Sequence, residues 1–272
     1  VRLIRVDDEP EYGVALGSIL VSLLEPEPGT AREFNRWYER DHFYAGCMSG
    51  QHFFSGRRFL ATRDLKALRY PPSSEAVDDT AIGSFLALYW MERGHHVEAE
   101  DWALERVLWL YENGRMDGGG KRRAVHASFY SHDWALLRDE GGVPPEVALD
   151  RSFPGIGMVI SERPEGVSVE ARDTWLRDEY LSKQMPGSAV ASCLSLTPLE
   201  LPKTSPAYRA PEPGFDRRSL EIYFLDETPE RVWSGFFEQL GAAQAAAGMG
   251  EAAFVAGFIP TDPGTDRYID QV

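Results

Sequence analysis

Trp37-Tyr38-Glu39-Arg40-Asp41-His42 and Trp175-Leu176-Arg177-Asp178-Glu179-Tyr180 are two versions of one pattern, 138 residues apart. The offset holds upstream, where Leu20-Val21-Ser22-Leu23 falls on Met158-Val159-Ile160-Ser161 and Pro26-Glu27 on Pro164-Glu165. An apolar run, a turn and a helix therefore recur in register, which marks an internal repeat. Further along, Ser84-Phe85-Leu86-Ala87-Leu88-Tyr89-Trp90 matches Ser219-Leu220-Glu221-Ile222-Tyr223-Phe224-Leu225, both short and aromatic enough to be strands. Leu104, Val107, Leu108 and Tyr111 then form an i, i+3, i+4, i+7 stripe that Trp233, Phe236, Phe237 and Leu240 repeat.

Each half reads strand, helix, strand, strand, helix, strand, the ferredoxin-like βαββαβ order. The elements fall at 18–25, 31–47, 52–62, 84–92, 98–113 and 123–133, and again at 157–162, 168–185, 189–196, 220–225, 228–247 and 252–260. The expected division is a first half over 12–136, a linker over 137–154 rich in glycine, proline and charge, and a second half over 155–272. A four-stranded sheet with both helices on one face leaves its other face bare. Two such sheets in one chain can cover each other, so the fold class expected is α+β, two ferredoxin-like halves closing one α+β barrel.

Phe34-Asn35-Arg36-Trp37-Tyr38-Glu39-Arg40-Asp41-His42, followed by Gly50 and Arg57-Arg58-Phe59, resembles the dimeric α+β barrel superfamily, in particular its EthD-like branch. In that branch a helix carrying W-Y-x-x-x-H leads through a Pro-Gly turn to a strand with paired arginines. The first half has Met48-Ser49-Gly50 at the turn; the second keeps Pro186-Gly187 but has Tyr180 in place of the histidine. The resemblance implies a tandem duplication. It also implies a range of activities on small hydrophobic molecules, from cofactor-independent cyclases, isomerases, decarboxylases and monooxygenases to haem enzymes and proteins without known activity.

Composition removes other classes. With 28 Lys and Arg against 43 Asp and Glu, the net charge of −15 repels phosphate backbones and anionic lipid, so neither nucleic acid nor a membrane is an expected partner. Two cysteines, Cys47 and Cys193, supply neither a disulfide framework nor a thiolate metal site. No apolar run approaches the ~20 residues of a membrane span. A cytoplasmic location is expected, and a second copy of the chain, forming a homodimer, is the one protein partner the reading allows.

The densest polar run is Arg123-Ala124-Val125-His126-Ala127-Ser128-Phe129-Tyr130-Ser131-His132. On a strand His126, Ser128, Tyr130 and His132 share a face, and if the apolar face packs on the helices they face the lumen; otherwise the strand is an edge and the face is solvated. His42 follows the buried stripe of the first helix and either serves chemistry at a barrel mouth or caps its own helix. Near a helix C-terminus its imidazolium is favoured, which suits acid work more than a resting base. His95-His96 reads as a solvated turn, and His52 can point either way. His126 and His132 lie some ~20 Å apart along an extended strand at about 3.3 Å per residue, so they cannot share an ion, and no metal or cofactor is expected. Gly118-Gly119-Gly120-Lys121 lacks the spacing of a phosphate loop. Long connections from Arg63 through Pro71-Pro72 to about Ile82, and from Pro202 through Pro206, Pro211 and Pro213 to Arg218, suggest lids carrying Tyr70 and Tyr208.

The reading is a cofactor-independent proton-transfer enzyme of lyase, cyclase, isomerase or decarboxylase type. Its substrate is a small hydrophobic carbonyl or phenolic compound. His126, Tyr130, His132 and His42 are the catalytic candidates, and Ser128, Tyr38, Tyr89 and Arg58 the binding ones. The alternatives are a non-catalytic binding or assembly protein and a haem-binding barrel. The first half is expected to supply the chemistry and the second, without histidines in its last strand, an apolar wall.

Overall fold

Strand alternation decides which side chains meet across the sheet. A computed structural model describes residues 1–10, 13–77, 79–203, 208, 210–211 and 213–272; residue 12, the expected start of the first half, and Pro206 lie outside them. The first half contains β1 (Arg2–Arg5), β2 (Leu16–Pro26), α1 (Ala31–Trp37), β3 (Phe53–Leu60), α2 (Arg63–Ala67), β4 (Phe85–Glu92), α3 (His96–Glu112) and β5 (Arg122–Leu137). The second contains β6 (Gly155–Glu162), α4 (Val169–Thr174), α5 (Ser182–Gln184), β7 (Val190–Leu199), β8 (Arg218–Leu225), α6 (Pro229–Val232), α7 (Glu238–Ala246) and β9 (Glu251–Pro260).

The strand order is β1-β5-β2-β4-β3-β9-β6-β8-β7, and β7 returns to pair with β5. Eight antiparallel strands therefore close a barrel within one chain, as the repeat predicts. The halves join along a long seam, Phe129↔Leu199 to Leu137↔Ser192, and a short one, Phe59↔Pro260 and Leu60↔Ile259. Closure leaves the barrel strands without a free edge to template aggregation. β1 was not expected. It pairs with the last four residues of β5, which outruns its β2 partner because a bulge at Asp133 breaks the alternation that seemed to end the strand.

Two layers of core follow from the pleat. Ile19, Val21 and Leu23 of β2 and Leu220, Ile222 and Phe224 of β8 belong to one cluster spanning both halves, which fills the lumen. Tyr223 and Leu225, pointing the other way, pack with Trp175, Trp233 and Phe236 under the second-half helices. Each barrel end is covered by a connection. At one, Trp90 Nε1 donates to Pro145 O (2.8 Å) and Phe153 packs on Phe224, so the expected linker serves as a plug. At the other, the buried Arg69 guanidinium donates to Ile82 O (2.6 Å) and Gly83 O (2.7 Å) and lies 5.5 Å from the Phe254 ring. Tyr70 covers no lumen: its backbone bridges to Val255, and its hydroxyl donates to Phe237 O.

Both repeat helices change pitch. α1 continues through π-helical turns at Tyr38–His42 and Tyr44–Met48, and α4 through Trp175–Leu181. The wider turn brings residues five apart over one another. Trp37 and His42 stack with ring centroids 4.6 Å apart, and Trp175 and Tyr180 stack at 5.4 Å. The glycine run at 118–120 also acquires a role: a Cβ on Gly119 would lie 2.2 Å from the Trp37 ring.

Candidate active site

Phe34, Trp37 and Tyr38 form the buried face of α1 and its continuation, against β2 and β4. Opposite them, Tyr89 of β4 points to the helix side because its neighbours Leu88 and Trp90 point into the lumen. The Tyr38 and Tyr89 hydroxyls meet at 3.0 Å. Arg58, on β3, lies 4.6 Å over the Tyr38 ring and donates from Nη2 to Asn35 Oδ1 at 2.9 Å. Its neighbour Arg57 points away, to the carbonyls of Leu149 and Arg151, so the arginine pair divides between two tasks. Between the helices and the sheet lies a cavity of about 170 Å³ whose lining includes Ser22, Tyr38, His42, Cys47, Tyr89 and Val107.

Every titratable group in this cavity is held uncharged. Burial pushes Tyr38 up to about 12, Tyr89 well above its ordinary value, and the Cys47 thiol up to about 12. Burial, reinforced by Arg122 and Arg58, pushes His42 down to about 4. The expectation of a favoured imidazolium is thereby corrected: the helical turns run on to Met48, so His42 sits inside the element, away from the carbonyl end. Its Nδ1 is buried with no hydrogen-bond partner among the described residues. Gly46 leaves room for the ring, since a Cβ there would come within 3.1 Å of His42 Cε1. At neutral pH the cavity thus offers a neutral base and neutral hydroxyl donors, while Cys47 stays a thiol and is no nucleophile.

The other predicted residues lie on the opposite face of the sheet. Cross-strand partners Ile19↔Tyr130 and Leu23↔His126 put His126 and Tyr130 on the lumen side. His126 Nδ1 is 3.1 Å from Ala76 O and its Nε2 is 2.7 Å from the Tyr130 hydroxyl. With the proton on Nδ1, Nε2 accepts from Tyr130, so both ring nitrogens are engaged. Burial lowers His126 to about 4 and raises Tyr130. Ser128 contributes to the rim of the small cavity, with Oγ 3.3 Å from Phe129 O. His132 is 2% exposed and touches a separate cavity of about 600 Å³ under the N-terminal segment, with Arg5, Arg93, Glu146 and Asp150 around it; burial lowers it to about 4. The structure therefore brings Tyr38, Tyr89, His42 and Arg58 together, and separates them from His126 and Tyr130 by the thickness of the sheet. Sequence reasoning missed Cys47 and Ser22 as lining residues; Ser22, alternating with Val21 and Leu23, carried the signal.

The fold defines the class. No protein-family model matches the chain, and no curated protein does. Among solved structures, an anthrone oxidase-like protein aligns over 96% of this chain and 95% of its own at 11% identity, TM-score 0.53. A chlorite dismutase-like protein aligns over 95% and 100% at 13% identity, TM-score 0.51. The encapsulated DyP-type peroxidase from Mycobacterium smegmatis aligns over 97% and 98% at 10% identity, TM-score 0.51. The chain shares with these structures an α+β barrel fold, and here eight antiparallel strands of one chain close it. No helix among the described residues is long and apolar enough to cross a membrane.

The sequence resemblance extends to haem enzymes, and the size of the His42 cavity, about 170 Å³, bears on that alternative. Its volume is close to the ~150 Å³ that accommodates benzene, and a tetrapyrrole does not fit there.

Proposed function

We propose that the protein is a cofactor-independent proton-transfer enzyme, of lyase, cyclase, isomerase or decarboxylase type, acting on a monocyclic phenolic or carbonyl compound. The observation that carries this is one cavity lined both by His42, whose Nδ1 has no hydrogen-bond partner among the described residues, and by the Tyr38–Tyr89 hydroxyl pair. In the proposed step His42 Nδ1 takes a proton from carbon α to a carbonyl, or from a phenol. A tyrosine O–H donates to the oxyanion as it forms, and the Arg58 charge beneath Tyr38 favours that negative charge. The proton returns from His42 to carbon, so no co-reactant is needed. A cavity of about 170 Å³ limits the substrate to roughly one ring.

The same reading takes the two halves as a tandem duplication of an EthD-like unit in which the first half kept the histidine. Support comes from the matched i, i+5 stacks, Trp37 on His42 and Trp175 on Tyr180.

The test is exchange with solvent deuterium by the full-length protein, over a panel of monocyclic phenols and cyclic 1,3-diketones. At least one compound should exchange faster than in buffer, and Tyr89→Phe should slow that exchange about tenfold, the worth of one hydrogen bond to a developing charge. If no panel member exchanges, or if filling the cavity with Val107→Trp leaves exchange unchanged, the reading fails. Purified protein should also lack a Soret band; a stoichiometric one would replace this scheme with the haem alternative.

A further inference from the structure

A second group of side chains, where β4 turns into α3 beside the start of β3, takes no part in the proposed chemistry. His52 Nδ1 is 2.9 Å from Glu92 Oε2. The His52 and His95 rings stack with centroids 3.9 Å apart and planes within 2° of parallel. The turn expected to be solvated is so in part, yet the His95 Nδ1 is buried without a hydrogen-bond partner among the described residues. One ligating atom from each of His52, Glu92 and His95 lies within 4.8 Å of the other two.

The backbone fixes this trio. The Glu92 N–H donates to His52 O at 3.0 Å, and the His95 N–H to Glu92 O at 3.2 Å. His52 has φ of +69°, a left-handed conformation that a residue with a Cβ adopts rarely and that clusters at functional positions.

We infer that His52, Glu92 and His95 form a binding site for a divalent transition-metal ion of the zinc type. Glu98, whose Oε1 lies 3.7 Å from His95 Nδ1, is the fourth ligand within reach. Two imidazole nitrogens with carboxylate oxygens suit zinc and its neighbours better than magnesium or calcium, which take oxygen alone. Bonds of about 2.0–2.1 Å place tetrahedral ligands roughly 3.3 Å apart, so ligating atoms that lie within 4.8 Å of one another close by up to about 1.5 Å. Parallel rings direct their lone pairs into separate planes, and binding turns one imidazole out of the stack. His95, with 41% of its side chain exposed against 14% for His52, is the ring free to turn. The ion would tie the first turn of α3, a helix whose Ala103, Leu104 and Val107 line the proposed active site, to β3 and β4.

The experiment is calorimetric titration of the tag-free, full-length protein with Zn²⁺, then with His52→Asn and His95→Gln; asparagine is chosen because it tolerates the left-handed backbone. One equivalent should bind, weakened about 10–100-fold or more in each variant. Spin-echo spectroscopy of Cu²⁺ on the unaltered protein should count two coordinated imidazoles, a readout that stands if a variant does not fold. Absence of zinc binding, affinity unchanged in both folded variants, or fewer than two imidazoles would overturn the site.

Discussion

Glu221→Leu is expected to cost about 3–5 kcal/mol of stability, and Arg172→Met together with Glu221→Leu far less than either change alone. Arg172 and Glu221 each have a side chain 1% exposed, with Nη1 and Oε1 2.7 Å apart. Burial by itself would lower the arginine pKa, but Glu221, and Asp173 at 3.3 Å, raise it, so the guanidinium stays charged. Removing Glu221 leaves that buried charge with Asp173 as its ion-pair partner, and Arg172 Nε and Nη2 already lack hydrogen-bond partners among the described residues. The double change removes two of the three desolvated charges, and Asp173 keeps its hydrogen bond from Trp134 Nε1 (2.9 Å). Guanidinium denaturation midpoints for the four proteins measure the coupling. A single-variant loss of no more than about 1 kcal/mol, the size of an exposed pair, would contradict the assignment.

That ion pair also explains why the halves diverge. The repeat offset places Arg172 at the position of Phe34 and Asp173 at that of Asn35. In the first half the corresponding space is bounded by Phe34, Tyr38 and Tyr89 and leaves a cavity. In the second it is filled by the ion-paired side chains of Arg172, Asp173 and Glu221, with Asp133 near them pushed up to about 7 by burial. The apolar wall expected of the second half concerns the lumen, where Leu220, Ile222, Phe224, Phe254 and Phe258 are buried; the charged cluster lies on the other face of the sheet.

The barrel was legible because period-2 and period-3.6 patterns repeat, and two bare sheet faces in one chain have a single economical arrangement. β1 was not, since a four-residue strand depends on the unusual length of β5 and on the bulge at Asp133. At the site, Tyr38, Tyr89 and Arg58 were legible as binding candidates by their places on a helix face and two strands. What could not be read was the side of the sheet each would occupy relative to His126, because a strand pattern with polar residues on one face and small apolar residues on the other does not say which face the helices cover. The position of His42 was hidden for another reason. An α-helical wheel sets it beside Tyr38, and only the π-helical turn stacks it on Trp37 and buries its unpaired nitrogen. Cation placement followed the same logic: adjacent Arg57 and Arg58 look equivalent in sequence, yet the pleat sends one to the plug and the other beneath Tyr38.

For a substrate found by the exchange screen, His42→Ala should lower the rate about 10²–10⁴-fold, the usual worth of a positioned base. Added imidazole should restore part of it, because the alanine leaves a ring-sized space against Trp37. The base works when neutral, and with a pKa of about 4 it is neutral throughout the physiological range. The wild-type kcat/KM should therefore be flat from neutrality down to about pH 5 and fall as the pH drops through about 4. Stability shares part of that window and must be separated from it. His42, His126 and His132 are all lowered to about 4 from an ordinary value near 6.5. Below 6.5 the unfolded chain binds protons that the folded chain refuses, so their contribution is complete above that pH and is lost as pH falls toward 4. Circular dichroism at each pH distinguishes the two: loss of rate with retained fold is protonation of the base, whereas loss of both is unfolding. Retention of more than about a tenth of the rate in His42→Ala would remove His42 from the chemistry. It would leave the Tyr38–Tyr89 pair as a binding element without a base.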